Sequence, residues 1–502
     1  MSGRFAELCD PNWLRREQEG CNFAERLVRR IGEHSCLIDA ATGREYSGQD
    51  LLNLIVGYAA GFLSSGLRAG DRILINCSLT SSSTLAYLGA MYAGIVPVPV
   101  EDRVFASSSD SLLARVDPKA VWTAREQSRD AVARQGILQI AGEFPPQDVS
   151  TLLPASCAEE DLAALMLTSG STGTPRLVMI SHGNLIANTE AIIRSQGLGT
   201  DERAMLIMPI AYCFGASVMH THLYQGGGVV FDSRFIFPDK VLHAVNRYRC
   251  TTFAGVPAVY NVLLRRSNLK SIPMPRLRRF LQAGGALAPE SVRQVRDIVP
   301  SARFMVMYGQ TEATARISCW EADCASEKLG SAGLPLDNLE LRIVDSERRD
   351  LTSGNIGEIE VRGPSISAGY LDDPESTAHN FAGGWLKTHD YGLRDADGYL
   401  WIKGRAADFI KIRGRRVSVS EIEAKVGSIP GVYECAAIPV QDEETGEAVA
   451  LFVVPRDGNF GLVETVRSCL PPLWTCASIS LVEEIPKTPN GKIARNQLRV
   501  AP

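Results

Sequence analysis

The sequence predicts an α/β fold: a large N-terminal domain of α/β-layered subdomains that includes a small β subdomain, followed by a small α+β C-terminal domain. Three observations predict it. Apolar strand-like runs alternate with stretches of helical periodicity up to about Gly330, shorter strand-like pieces separated by turns follow, and the texture changes again near Gly404. In chain order, "DLLNLIVGYAAGFLSSG" (Asp50 to Gly66) spaces its apolar residues as a helix does, and "DRILINCS" (Asp71 to Ser78) and "GIVPVPV" (Gly94 to Val100) read as buried strands. "AMLIMPI" (Ala204 to Ile210) and "GGVVFD" (Gly227 to Asp232) are further strands. The helix "PDKVLHAVNRY" (Pro238 to Tyr248) precedes the strands "TTFAGVP" (Thr251 to Pro257) and "RFMVMYG" (Arg303 to Gly309). "LELRIVD" and "GEIEVRG" belong to the β subdomain. The boundary near Gly404 divides the chain into residues 1–403 and 404–502.

At 502 residues, 45% of them hydrophobic and 22% charged, the chain is long enough for two or more cores. A net charge of -5 gives no reason to expect a nucleic-acid partner. The opening "MSGRFAELCDPNWLRREQEG" has no apolar h-region, and the apolar stretches elsewhere fall short of a membrane span, so a cytoplasmic location is predicted. The 12 cysteines show neither a C-x-x-C pair nor zinc spacing, which predicts reduced core thiols and no metal site among them.

The chemistry gathers in a few short segments. "LTSGSTGTPRLVMISHGN" (Leu167 to Asn184) joins an apolar run to a helix-like segment through a turn rich in hydroxyls and backbone amides, a composition suited to phosphate. It is neither a Walker loop nor a dinucleotide-binding fingerprint. "MYGQTEA" places Tyr308, Gly309, Gln310, Thr311 and Glu312 at the end of a strand, where α/β proteins bind ligands. "GWLKTHDYGLRDADGYLWIKGR" supplies Asp390 and Arg405, and "PKTPNGKIARNQL" sets Lys492 on a turn near the terminus. Together, and in this order over nearly the whole chain, these segments resemble the adenylate-forming superfamily. That superfamily includes acyl- and aryl-CoA synthetases, adenylation domains of peptide synthetases and firefly-type luciferases.

The resemblance implies a barrel-like β subdomain, a mobile C-terminal domain, and ATP and Mg2+ as cofactors. Thr168, Ser169, Gly170, Ser171, Thr172, Gly173 and Thr174 would grip the β- and γ-phosphates of ATP. Arg176 stands where the family carries lysine and keeps the cation in a planar, forked form. Tyr308 would stack on adenine, with Gly284, Gly285 and Ala286 of "QAGGALAP" on its other face. Gly309 and Gln310 belong to the same nucleotide motif. Thr311 would touch the α-phosphate, Glu312 would hold magnesium, Asp390 would accept hydrogen bonds from the ribose hydroxyls and Arg405 would contact ribose or phosphate. Lys492 would neutralise charge as a carboxylate attacks the α-phosphorus. A rotation of the C-terminal domain would then present "KIRGRRVSVSEIE", with Gly414 letting a pantetheine arm pass and Lys411, Arg413, Arg415 and Arg416 meeting the phosphates of CoA or an acidic carrier protein. At the hinge, Ala407 followed by Asp408 departs from the family's polar residue.

The acid is read from "MPIAYCFGASVMHTHLYQGGG". Gly215 stands where amino-acid-activating relatives carry the aspartate that pairs with the substrate ammonium, so the expected acid lacks an α-amine. Tyr212, Phe214, Ser217, Val256 and Pro257 are candidates to line an apolar acyl or aryl pocket, and His220 and His222 read as structural. The expected product is acyl-CoA with AMP and pyrophosphate. A free-standing adenylation enzyme that loads a carrier protein is the alternative, and a luciferase-like oxidative enzyme or a non-catalytic nucleotide-binding protein stand further off. The extra insertion of fatty acyl-AMP ligases is not seen, which favours thioester formation.

Overall fold

The computed structural model describes residues 20–502 apart from 125–131, 133–134, 169–175, 324–325, 406–408, 413–414, 443–445, 457–460, 472–473, 475, 488–492 and 500–502. Its largest element is a nine-stranded sheet. Six parallel strands form the centre of that sheet: Cys36–Asp39, Gly228–Phe231, Arg203–Leu206, Thr252–Gly255, Arg279–Gln282 and Arg303–Tyr308. Antiparallel strands close its ends, Arg44–Ser47 on one side and Ser318–Glu321 with Leu334–Pro335 on the other.

Successive side chains of a strand face opposite ways, and here each face has its own core. Leu37, Val229 and Ala254 join one cluster, whereas Ile38, Val230 and Phe253 join the other. The run Ala204 to Ile210 is strand only to Leu206. Pro209 follows, and a residue without an N–H cannot extend the ladder.

A second sheet is wholly parallel, in the order Val96–Glu101, Arg72–Cys77, Ala120–Thr123, Leu138–Ala141. A separate hairpin pairs Leu162–Leu167 with Leu177–Ser181 and so carries the hydroxyl-rich loop. Ser181 and Asn184 then form a capping box that starts the helix His182–Gln196.

The β subdomain is an antiparallel sheet of four strands, Glu340–Val344, Gly357–Arg362, Leu386–Arg394 and Leu400–Arg405. It is open where a barrel-like form was expected: its end strands do not pair, and four strands are too few to close around a filled interior. The chain passes from Arg405 to a further sheet that begins at Phe409–Ile412, pairs with Arg415–Ser418 and continues through Gly446–Pro455 to Val432–Asp442 and Cys476–Leu481. With the helices Val419–Gly427 and Leu462–Cys469 this sheet encloses a core of its own. Arg265 Nη1 reaches it by donating to the Tyr433 carbonyl at 3.1 Å. Among the described residues no helix is long and apolar enough to cross a membrane, and ten cysteines are free thiols.

Candidate active site

The nucleotide side of the site forms where Arg303–Tyr308 runs out of the large sheet. Gly309 follows directly, and a Cβ there would lie 1.8 Å from the Ala315 carbonyl oxygen, so only glycine lets the chain double back at this point. The Thr311–Ala313 turn comes next and brings Glu312 to the same edge. Asp390 and Arg405 face each other across the register of Leu386–Arg394 and Leu400–Arg405. The Asp390 carboxylate accepts from Tyr308 Oη at 2.6 Å and from Arg405 Nε at 3.2 Å. Three residues from two sheets therefore meet as the sequence motifs suggested.

Burial, reinforced by the Asp390 charge, pushes the Tyr308 hydroxyl well above its ordinary pKa, so it stays a donor. Burial works against the Arg405 charge, but Asp390 outweighs it and holds the guanidinium above its usual value.

A second network surrounds Glu312. Tyr370 Oη donates to Glu312 Oε1 at 3.0 Å and accepts from Asn380 Nδ2 at 3.0 Å. Behind it, His389 Nε2 lies 2.9 Å from Asn380 Oδ1. The Tyr370 hydroxyl is pushed up to about 12, first by burial and then by the Glu312 charge. The Arg176 guanidinium covers the other side of this tyrosine at 5.0 Å from the ring centre, with Asp373 at 3.7 Å from its Nε. Arg176 also closes the base of the hydroxyl-rich loop, since Thr168 N donates to its carbonyl at 2.9 Å. Glu312 and the loop's only described cation thus share one tyrosine. Ser169, Gly170, Ser171, Thr172, Gly173 and Thr174 lie outside the described residues.

The donor set fits ATP with magnesium. Gln310 Nε2 is buried without a hydrogen-bond partner, which leaves a donor open beside Tyr308. No group of three or more His, Cys, Asp or Glu residues forms a cage among the described residues. A lone carboxylate suits magnesium, which keeps its waters and takes its other oxygens from substrate phosphates. The Gly284, Gly285 and Ala286 turn packs on Val256 and Pro257: Cβ atoms on Gly284 and Gly285 would lie 3.2 Å from Val256 Cγ1 and 3.4 Å from Pro257 Cγ.

The segment expected to face the acid forms the helix Cys213–Tyr224, buried at every position from Phe214 on. A Cβ on Gly215 would sit 2.4 Å from the Pro209 carbonyl oxygen, so the helix packs too closely there to carry an aspartate. The Tyr212 hydroxyl donates to Glu101, and Phe214 lies beneath the Arg316 guanidinium, 5.1 Å from its ring centre. A small cavity beside the helix is lined by Cys213, Ala216, Ser217 and His220 together with Tyr87, Asn188 and Thr189, and does not touch Tyr212, Phe214, Val256 or Pro257. One residue along a helix is a rotation of about 100°, which sets Phe214 off the face that Cys213, Ala216, Ser217 and His220 share. Burial pushes His220 down to about 3 and His222 to about 4, so both are neutral and neither is an acid or base at neutral pH.

Sequence reasoning missed Tyr370, Asn380 and Arg316. Arg316 alone carried a signal, a cation inside the otherwise uncharged run "ATARIS" just after Glu312. Lys492, Arg413, Gly414, Ala407 and Asp408 lie outside the described residues, while Lys411, Arg415 and Arg416 lie in paired strands. Lys487 and Ile493 pair across the segment that carries Lys492.

The AMP-binding enzyme family matches residues 24–371, and the AMP-binding enzyme C-terminal domain matches residues 421–492. A feruloyl-CoA synthase of an Amycolatopsis species is 32% identical over 464 residues, covering 90% of this chain and 92% of its own. The 4-coumarate–CoA ligase 2 of Petroselinum crispum is 28% identical, with 94% and 92% covered. Among solved structures, ATP-bound MatB from Rhodopseudomonas palustris superimposes with a TM-score of 0.86 at 26% identity, covering 95% of this chain and 98% of that one. A match of this length in both parts of the chain makes it an AMP-binding enzyme of the adenylate-forming superfamily, an AMP-forming acid–thiol ligase.

Proposed function

We propose that the enzyme uses ATP to convert a carboxylic acid without an α-amine into an acyl-adenylate and passes the acyl group to CoA. The joint placement of the Tyr308–Asp390–Arg405 cluster and the Glu312–Tyr370 pair at one sheet edge, beside the Gly215 helix, carries this reading. Asp390 has the carboxylate to accept from ribose hydroxyls, and Tyr308 presents its ring to the base while its hydroxyl is held. Thr311 reaches toward the α-phosphate. Glu312, oriented by Tyr370, would hold magnesium, which supplies positive charge for the phosphates when bound. Arg176 and the loop from Thr168 to Thr174 add donors for the outgoing pyrophosphate.

The acid's carboxylate attacks the α-phosphorus, the bond to the β-phosphate oxygen breaks, and pyrophosphate leaves. Lys492 is our candidate for the ammonium that balances this charge. In the second step the thiolate attacks the acyl carbon and AMP leaves. The relatives named for feruloyl-CoA and 4-coumarate–CoA synthesis support CoA as the acceptor and a carboxylic acid as the partner. Ten free thiols support a reducing, cytoplasmic setting.

The experiment is acid-dependent AMP release measured across aliphatic, aromatic and amino acids with CoA, with a phosphopantetheinylated carrier protein, or with neither. Thioester with CoA from an acid without an α-amine is the expected result. Turnover with the carrier alone would replace CoA as acceptor, and activation confined to α-amino acids would refute the acid assignment.

A further inference from the structure

The strand Leu386–Arg394 departs from regular geometry at one place. Its ladder with Gly357–Arg362 sets Tyr391 opposite Glu358 and Lys387 opposite Glu360, so Ile359 alone stands across from Thr388, His389 and Asp390. His389 takes up the surplus with a φ of 59°, in the left-handed region that a side chain rarely adopts. Thr388 pins the bulge, its Oγ1 donating to the Ile359 carbonyl at 2.8 Å and accepting from Asp390 N at 3.2 Å. Glycine would hold this backbone without strain, so the conformation does not account for the imidazole.

The contacts of the ring do account for it, because they lead to Glu312. A carboxylate only accepts, so Tyr370 Oη gives its hydrogen to Glu312 and takes one from Asn380 Nδ2, each at 3.0 Å. That turns Asn380 Oδ1 toward His389 Nε2, 2.9 Å away, and makes the ring nitrogen the donor. The hydrogen bonds therefore run in one direction, from His389 through Asn380 and Tyr370 to Glu312. Asn380 and Tyr370 are 3% and 4% exposed, so water has little access to replace either partner. On its outer side His389 Nδ1 faces Glu358 Oε1 at 3.4 Å, and its ring stacks on that of His379 with centres 6.2 Å apart. The ring is thus held from both sides.

We propose that His389 is a positioning residue for the magnesium site, fixing the Glu312 carboxylate through Asn380 and Tyr370. The inference rests on the reading of Glu312 as the magnesium carboxylate and adds the residue that orients it. Magnesium demands near-ideal geometry of its oxygens, so a carboxylate held by a one-way chain of donors meets it better than one free to turn. His389 also precedes Asp390, so one bulge sets the ribose acceptor and, through the ring, the metal acceptor.

The test is calorimetric binding of ATP to the full-length enzyme, in saturating magnesium and in EDTA. His389→Gly relaxes the backbone and removes the ring, so it should fold. Its ATP affinity should fall at least about fivefold with magnesium and less than about twofold without it, a loss at the lower end for partners of a metal-binding carboxylate. His389→Gln, whose amide can donate to Asn380, should recover part of the loss. Tyr370→Phe cuts the chain nearer Glu312, so the double variant with His389→Gly should bind no more weakly than Tyr370→Phe alone. An unchanged response to magnesium in His389→Gly overturns the proposal. So does an equal loss with and without magnesium, which would place its effect at Asp390, or a double variant in which the two losses multiply. Wild-type binding that ignores magnesium would overturn the reading of Glu312 itself, an outcome distinct from wild type and His389→Gly responding alike.

Discussion

Replacing Asp390 by alanine removes the acceptor that joins the two sheets of the nucleotide site. The Tyr308 hydroxyl donates to it at 2.6 Å from a partly buried position, a hydrogen bond to a charged group worth about 1.5–3 kcal/mol. The Arg405 contact adds less, because that side chain is 45% exposed and solvent screens the pair; about 1 kcal/mol is its ceiling. Together the loss comes to about 2–4 kcal/mol. Asp390→Asn keeps an oxygen for Tyr308 and should lose about half as much. The same carboxylate is the proposed acceptor for the ribose hydroxyls, so KM for ATP should rise about 100-fold in Asp390→Ala, equivalent to about 3 kcal/mol. The urea midpoint of the first unfolding transition reads the stability, and acid-dependent pyrophosphate exchange at varied ATP reads the affinity. An alanine variant with the wild-type midpoint and an ATP KM within about twofold of wild type would refute both the structural and the binding role.

Glu312→Gln keeps an oxygen for Tyr370 but loses the anion, so the fold should hold while exchange falls at least about 100-fold and the magnesium needed for half-maximal rate rises. Metal titration of the exchange rate checks this, and an unchanged magnesium curve would exclude Glu312 as a ligand. Gly215→Asp should not create amino-acid activation: with Pro209 O only 2.4 Å from the new Cβ, the helix must shift, at a cost of about 1–3 kcal/mol seen as a lower unfolding midpoint. Acid should destabilise the protein through its buried histidines. His220, His222 and His182 are lowered from 6.5 to about 3, about 4 and about 4, all by burial, so below pH 6.5 the unfolded chain binds more protons than the folded one. Stability is thus full above pH 6.5 and falls with pH, by about 2 kcal/mol per histidine at pH 5. His222→Asn should flatten the pH dependence of the urea midpoint by one such share.

Four of the six parallel strands were legible because strands buried on both faces read as apolar runs, whereas Cys36–Asp39 and Arg279–Gln282, short and carrying polar residues, were not. The nucleotide residues were legible for a related reason: Tyr308 and Glu312 sit where a strand stops, and strand register sets Asp390 opposite Arg405. The openness of the β subdomain was not legible, since a strand's sequence does not say whether its sheet closes. The small cavity beside the helix Cys213–Tyr224 was hidden more deeply. Its lining comes from Tyr87, Asn188, Ser217 and Ala315, which lie on separate segments, and which face of a fully buried helix looks inward is a property of packing rather than of composition. Two buried arginines make the point. Arg279 and Arg316 are each 2% exposed, and Arg279 meets Glu202 at 2.8 Å from a position 77 residues away. Arg316 meets no carboxylate among the described residues. One cation is therefore met by an ion pair between distant segments, and the other by a hydroxyl and an aromatic face. That distinction exists only once the whole chain has folded.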